Sequence, residues 1–519
     1  MFKSFNREQE FLLPPSLSEL IKEDDLVFLI TEVVELLDLE PLYNKYSSLG
    51  RHAYHPAILL SVLFYSYSQG VFSSRKIAER LCYDVRFMYL TGMQIPDFRT
   101  ISDFRKDNID LLKSYFVAIV RLCQEIGMVP LRFVAIDGSK IHASASVKQS
   151  KDREALSKQL AEVEARIAEL LAYAQQIDSE EEDNAVPSSP AGIQLKDMRQ
   201  LRDRLKAAKA KLDNDSNQTR VNLTDVDSRD HRRQGPSYNC QIAVDDKAMI
   251  IVAADVVSDP TDTGQLIPMI EQVEANTESE GQPKQIVTDS GYESGAALKE
   301  LAGSTHIDAY IASQRQDQHE RLPKPPFDKY SFNYDPVMQR CTCPQGLPMK
   351  VKMQYVENGV KHTRFIGSGC LSCSVKNLCT RARYRTVRFT DADPMLQKMR
   401  SKSESYRGKA AMRKRRQTVE PVFGTLKEHL GFRRFKLRGF AKVKGEFALL
   451  CCAYNLRKIR EYLGGHRLAE ALVLVQVISV DFISSVRRYS LFFCSSIRRM
   501  SRNLDEIILL VLCQLRMII

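Results

Sequence analysis

The chain contains no Gly-x4-Gly-Lys-Ser/Thr segment, the loop that cradles the phosphates of a nucleoside triphosphate, so chemistry driven by nucleotide hydrolysis is not expected. No charged-then-apolar signal peptide opens it, which argues against export. It also lacks an uninterrupted apolar run of about 18–20 residues, the length needed to span a bilayer. The nearest candidates, Ala471–Asp481 and Ile507–Cys513, are shorter, and Asp481 and Arg487-Arg488 interrupt the region. Residues 463–519 are therefore expected to be a poorly constrained tail rather than a membrane anchor. Cysteine is too sparse for a disulfide scaffold, with twelve in 519 residues. In a chain without an export signal these read as reduced thiols plus one metal site.

What remains is a globular composition, 44% hydrophobic and 27% charged, with a formal net charge of +11. The length suits several domains and a sizeable core. The positive excess suits a polyanion such as nucleic acid, although a basic soluble protein needs no such partner.

Residues 1–128 read as helical. Leu26, Ile30, Val33, Leu36 and Leu37 recur at helical spacing. His55-Pro56 opens a second helix, with proline tolerated in the first turn. Ser73 reads as an N-cap, and Thr100-Ile-Ser102 opens a helix running to Gly127. Short helices carrying Arg75, Arg80, Arg86, Arg99 and Arg105 suit either a helix-turn-helix-like DNA-binding module or a plain helical bundle.

Beyond residue 129 strands and helices alternate. Strands are expected at Leu131–Ile136, Tyr238–Val244, Met249–Asp255, up to Thr288, and at His306–Ala312, with helices at Gly264–Asn276 and Tyr292–Leu301. This describes an α/β layer. Residues 148–220 interrupt it with two amphipathic stripes, one from Leu156 to Leu171 and one from Leu195 to Leu212, around an acidic loop at Asp178–Pro190. They read as a helical hairpin, serving as an oligomer contact, a DNA arm or an insertion. Residues 313–390, rich in Pro and Cys, read as a second insertion. Helix returns over 394–462 with a dense run of cations from Arg413 to Lys444.

Three carboxylates sit where a metal-dependent phosphoryl-transfer centre needs them. Asp137 follows the run Leu131–Ile136 and precedes Gly138-Ser139-Lys140. Asp289 follows Gln285-Ile-Val-Thr288 and precedes Ser290-Gly291-Tyr292. Open α/β sheets place their sites at the carboxyl ends of strands. Glu420 lies among Arg413, Arg416 and Lys427, which share its face on a continuous helix. Pro421 implies that the helix either kinks there or starts afresh. Such residues converge on a pair of Mg²⁺ ions, which take hard oxygen ligands and clamp the attacking and leaving oxygens at phosphorus. The alternatives are turn or cap aspartates and a solvated basic helix with an incidental glutamate. His142 is expected to be an ordinary surface or core histidine, because a two-metal centre needs none to generate its nucleophile.

The segments Asp137-Gly-Ser-Lys-Ile141, Tyr238-Asn-Cys-Gln-Ile-Ala-Val-Asp245, Thr288-Asp-Ser-Gly-Tyr292, Val419-Glu-Pro-Val-Phe-Gly424 and Leu449-Leu-Cys-Cys-Ala-Tyr-Asn-Leu456 together resemble the core motifs of bacterial insertion-sequence DDE transposases. The N-terminal helices resemble the domain that often precedes such cores. The resemblance spans roughly residues 10–462. It implies a ribonuclease-H-like mixed sheet with flanking helices over 129–147, 221–312 and 391–462, preceded by an all-α DNA-binding domain. It implies Asp137, Asp289 and Glu420 as the catalytic triad holding two Mg²⁺ or Mn²⁺ ions. It further implies cleavage at terminal inverted repeats, strand transfer into target DNA, and assembly as a homo-oligomer on that DNA. A cytoplasmic, nucleoid-associated location follows. A catalytically inactive DNA-binding derivative and a nuclease or resolvase on the same core are the rival readings.

One position departs from the family's pattern. A subset of these enzymes carries Tyr-x2-Arg-x3-Glu-x6-Lys. Arg416, Glu420 and Lys427 match it, and Arg413 replaces the tyrosine. The hairpin route that this tyrosine serves is not carried over. Arg413 is expected to hold a phosphate or stack on a base.

Within the second insertion, Cys341-x-Cys343 is followed by Cys370-x2-Cys373 and Cys379. Two close pairs across a loop suit a four-thiolate zinc site. The preferred set is Cys343, Cys370, Cys373 and Cys379, with Cys341 as alternate, against reduced and unligated thiols. Cys451-Cys452 sit in an apolar helix and are expected to pack in the core.

Overall fold

The structure is a computed structural model describing residues 16–46, 53–180, 190–215, 218–231, 234–277, 282–303, 307–313, 327–357 and 360–472. The acidic hairpin loop and the apolar tail segments beyond 472 lie outside these residues. Residues 1–465 and 466–519 divide as separate units, and the account below concerns the first. Among the described residues no helix is long and apolar enough to cross a membrane.

Among the described residues, α-helices precede the first strand: α1 (Leu26–Leu36), α2 (Glu40–Tyr43), α3 (Pro56–Ser68), α4 (Ser74–Arg80), α5 (Val85–Thr91), α6 (Phe98–Asp107) and α7 (Ile109–Glu125). The stretch expected to form one helix from Thr100 to Gly127 is two. Asp97 caps the first, accepting from the N–H groups of Arg99 and Thr100, and Asn108 breaks the run by turning its amide back onto the Phe104 carbonyl at 2.8 Å. Asparagine competes with the backbone in this way, which is why it marks helix ends.

The central sheet is mixed. Its main strands are β1 (Val134–His142), β5 (Gly235–Asp245), β6 (Ile251–Val257), β7 (Gln285–Thr288) and β8 (Asp308–Ile311), in the spatial order β6-β5-β1-β7-β8. The first three form an antiparallel meander, and β7 and β8 run parallel to β1. Short strands β2 (Ser150–Lys151), β3 (Val221–Asn222) and β4 (Arg229–His231) extend the sheet at the start of β5. Helices α8 (Arg153–Glu180) and α9 (Pro190–Asn214) rise as a hairpin between β2 and β3. Their seam buries Leu156, Val163, Ile167, Leu205, Ala208 and Leu212.

Strand β1 runs six residues beyond the expected Ile136. Its antiparallel pairing with β5 continues from Val134↔Asp245 to His142↔Ser237, so Asp137 is a mid-strand residue rather than a strand end. Only the parallel pairing to β7 stops at Ile136↔Thr288. The local sequence offers no reason to continue through Gly138-Ser139-Lys140; the long, buried β5 supplies the partner.

After α10 (Leu266–Asn276) and α11 (Gly295–Gly303), residues 327–390 build a second, five-stranded antiparallel sheet. Its strands are β9 (Asn333–Asp335), β10 (Arg340–Thr342), β11 (Pro348–Glu357), β12 (Val360–Gly367) and β13 (Thr386–Thr390), with the short helix α12 (Lys376–Cys379) between the last two. Phe332, Cys341, Phe365 and Phe389 form its core.

Helices α13 (Asp393–Glu404), α14 (Tyr406–Gly424) and α15 (Phe440–Leu463) complete the unit. Pro421 lies inside α14, which passes directly into a π-helical turn at Thr425–His429. Neither a fresh helix start nor a break at Glu420 occurs. Residues 430–439, expected to be helical, instead cross the end of β1. The His142 N–H donates to the Arg433 carbonyl at 3.2 Å and the Phe435 N–H to the His142 carbonyl at 2.9 Å. Helix α15 is buried throughout its middle, from Gly445 to Leu456, Cys451 and Cys452 included. Buried Asn455 stitches it to β6, its amide bonding both the N–H and the carbonyl of Ile251 at 3.0 and 2.9 Å.

Candidate catalytic centre

Because Ile136 pairs with Thr288 across parallel strands, Asp137 and Asp289 are the next residues along these neighbouring segments, Asp289 just past the end of β7. The Asp137 carboxylate accepts the Gly138 N–H at 2.9 Å. Asp289 caps the turn Ser290–Tyr292 by accepting the Gly291 N–H at 2.9 Å. Burial pushes the Asp137 carboxyl up to about 6; the adjacent Arg415 works against that shift and the Asp289 charge adds to it.

Glu420 approaches from α14, across the sheet face. Its carboxylate is exposed, and the Arg415 guanidinium stands between it and Asp137, at 3.8 Å from Glu420 and 3.2 Å from Asp137. Arg415 is the cation that sequence reasoning passed over in favour of its neighbours. The buried positions of α14 include Gly408, Ala411, Arg415, Thr418 and Val422, spaced alternately three and four apart as on the inner stripe of a helix. Arg415 falls on that stripe, whereas Arg413 and Arg416 face solvent. Lys427, in the π-helical turn, is half-buried against β1. Its ammonium donates to the Ser139 hydroxyl and to the Lys140 carbonyl. Burial lowers its pKa, with Cys240 and Asp137 opposing.

A fourth carboxylate lies beside the first two. Asp262, in the loop after β6, accepts from the Asn239 and Gln241 amides at 2.8 and 2.7 Å. Gln241 in turn accepts from the Tyr292 hydroxyl. A side chain at Gly138 would put its Cβ 2.3 Å from Asp262 Oδ1; one at Gly291 would come within 3.0 Å of Oδ2. The glycines following Asp137 and Asp289 are thus the space that Asp262 occupies. The sequence signal was two amides, Asn239 and Gln241, on one face of an otherwise apolar central strand, since buried amides require partners.

His142 uses its backbone to hold the 430s segment, and burial, Arg434 and Lys427 lower its pKa. Cys343, Cys370, Cys373 and Cys379 line one small cavity with Phe327, Phe332 and Leu347. Cys343 opens a turn closed by the Gly346 N–H at 2.9 Å, with Gly346 at φ 77°. Cys341 instead packs in the sheet core, 3.6 Å from the Met349 sulfur. Among the described residues no three His, Cys, Asp or Glu side chains stand in an arrangement that holds a metal ion.

A family model described as "Transposase DDE domain" matches residues 342–460, and one described as "Transposase domain (DUF772)" matches residues 15–107. The first takes in Glu420, the neighbouring cations and the four cavity cysteines; Asp137 and Asp289 lie outside both. No curated protein matches the chain. Among solved structures, a piggyBac transposase synaptic complex with hairpin DNA is similar over 92% of this chain and 82% of that one, at 10% identity and a TM-score of 0.29, too distant to carry an argument. The chain thus matches two transposase domain models, one at its N-terminal helices and one from the second sheet through α15.

Proposed function

We propose that this transposase cleaves DNA at the ends of its element and joins the freed ends to target DNA, with Asp137, Asp289 and Glu420 as its catalytic carboxylates. The observation that carries this is their juxtaposition: Asp137 and Asp289 side by side on parallel strands, with one guanidinium linking Asp137 to Glu420. An antiparallel meander followed by two strands parallel to its first, in the order β6-β5-β1-β7-β8, supports a ribonuclease-H-like core. The donor set is hard oxygen and anionic, which suits Mg²⁺ or Mn²⁺. Bound there, two such ions supply charge neutralisation at phosphorus and an activated oxygen nucleophile.

The chain's own contribution is positioning and electrostatics, as for phosphoryl transfer generally. Arg413 and Arg416 project from α14 on the side of Glu420 and are free to take phosphates. Lys427, anchored on β1 beside Ser139, fixes positive charge near Asp137. Asp262, tied to Asn239 and Gln241, props the backbone after both aspartates. The N-terminal helices would read the element's ends, on DNA that brings two or more copies together. Cys343, Cys370, Cys373 and Cys379 suit a structural zinc ion by donor chemistry.

A cleavage and strand-transfer assay on the element's own ends, with and without Mg²⁺, tests the reading. Cleaved and joined products are expected. Cleavage without joining would indicate a nuclease or resolvase, and end binding without cleavage an inactive DNA-binding derivative.

A further inference from the structure

An arginine on the inner stripe of a helix that packs over a sheet is costly unless its charge is paired. Arg415 is about one-tenth exposed, and its two ion-pair partners in the structure are Asp137 and Glu420. Its Nη1 is buried without a well-formed hydrogen bond among the described residues. The contact is therefore charge against charge, not the two-pronged fit of guanidinium on carboxylate that fixes a permanent structural pair. The adjacent cations are engaged elsewhere or point away: Lys414 pairs with Asp246, and Arg413 and Arg416 are exposed. Of four consecutive basic residues, one alone is turned into the centre.

We propose that Arg415 is the counter-cation of the metal-free centre. Its guanidinium takes the position between Asp137 and Glu420 that divalent cations require, and it must leave before those carboxylates can be bridged. This rests on the reading of the three carboxylates as a metal centre. A permanent charge is the right occupant, since guanidinium does not lose its proton in proteins. One positive charge offsets the carboxylates only in part, so two divalent ions would displace it, and the released guanidinium would be free to take a DNA phosphate. Metal loading thereby becomes coupled to the seating of α14 on the sheet.

The test is Mn²⁺ binding to the full chain without DNA, followed by calorimetry and by the electron paramagnetic resonance of free Mn²⁺. Wild type, Arg415→Gln, Arg415→Lys and Asp289→Asn are compared. Arg415→Gln removes the competitor and should bind Mn²⁺ about tenfold more tightly, the low end of the one to three decades by which a neighbouring arginine shifts a carboxylate's affinity for another competing cation, the proton. Arg415→Lys keeps the charge and should stay near wild type. Asp289→Asn should abolish the binding.

Binding that Asp289→Asn removes but Arg415→Gln leaves equal or weaker would overturn the counter-cation role and keep the metal centre. Binding indifferent to Asp289 would overturn the metal centre itself, and the proposal with it. Wild-type protein provides a readout independent of folding defects. Phenylglyoxal modification of Arg415, read by peptide mass spectrometry, should rise on adding Mg²⁺; unchanged modification would refute displacement.

Discussion

Gly138→Ala is the sharpest probe of the architecture around Asp137. A Cβ at this position lies 2.3 Å from Asp262 Oδ1 and 2.5 Å from Gln241 Nε2, so the carboxylate must leave its place. It then surrenders its hydrogen bonds to Asn239 and Gln241. Bonds to a charged group contribute about 1.5–3 kcal/mol each, and partial rehydration of the displaced carboxylate offsets some of that loss, leaving a net cost of about 2–4 kcal/mol. The sign is informative, because alanine for glycine within a strand otherwise stabilises by about 0.5–1 kcal/mol. The assay is native-state hydrogen exchange of the β1–β5 ladder, which reports local opening. The cost corresponds to roughly 30- to 700-fold faster exchange, at tenfold per 1.4 kcal/mol. Gly291→Ala, whose nearest contacts are 3.0 and 3.1 Å, needs only a small adjustment and should change exchange little. In an Asp262→Ala background the shorter contact is gone and the Gln241 amide is released from Asp262 to turn aside, so Gly138→Ala should cost much less. Additive effects of Gly138→Ala and Asp262→Ala would refute the reasoning, since residues in contact must couple.

Asp137→Asn, Asp289→Asn and Glu420→Gln should each lower end cleavage by at least about a hundredfold while end binding persists, because charge at the reacting phosphorus is the largest catalytic contribution; a gel-shift run beside the cleavage assay checks both. If the four cavity cysteines bind zinc, purified protein holds one zinc per chain, and chelation unfolds residues 327–390 locally; metal analysis with limited proteolysis reads this. Arg416→Ala should weaken binding to cognate and random duplex alike and reduce the salt slope by about one unit, the signature of a lost phosphate contact. Burial pushes the Asp245 carboxyl up to about 6, against the N–H groups of Lys247 and Leu131. An unfolded aspartate titrates near about 3.9. The folded chain therefore retains between about pH 4 and 6 a proton that the unfolded chain releases, and the stability it contributes at low pH is lost as pH rises through about 6. Asp245→Asn should flatten the pH dependence of the urea midpoint across that window.

Asp137 and Asp289 were legible because each ends a short apolar run and meets a small, turn-prone segment. Their adjacency was a matter of register, which comes from pairing across about 150 residues and is not written locally. The same holds for the length of β1, set by β5. Arg415 was legible in principle: the stripe through Gly408, Ala411, Thr418 and Val422 is periodic in the sequence, but a dense run of cations reads as uniformly solvated unless the phase is followed. Asp262 was legible only through its partners. Its loop, Ser258-Asp-Pro-Thr-Asp-Thr-Gly264, reads as a turn, and only contact with two buried amides gives it a role. The second sheet escaped notice because Lys350, Lys352 and Gln354 alternate with apolar residues on a strand of high charge, while cysteine and proline spacing drew attention to loops.

The N-terminal helices and the basic segment 433–438 are tied into one body by a buried charge. Glu446 on α15 is fully buried. It accepts from the Tyr67 hydroxyl at 2.9 Å and from the N–H groups of Lys436 and Leu437, each at 2.9 Å. Arg105, itself buried, stands 4.0 Å away and donates to Tyr67 and to the Phe72 carbonyl. One carboxylate thus ties α3 and α6 to the loop that crosses β1. Removing one partner of such a pair strands the other charge, at a cost of about 3–5 kcal/mol. Arg434 and Arg438 extend the bond to the sheet, donating to the carbonyls of Ala143, Ala145 and Ser144. These three residues follow β1, the strand that carries Asp137. A deletion of residues 1–128 would therefore not isolate end recognition. It would expose the faces of α15 that α3 and α7 cover and unpair Glu446, so the core would lose its support as well. Single substitutions on the exposed side of α4 and α6, such as Arg75→Ala and Arg99→Ala, leave that charge network intact and separate recognition from chemistry.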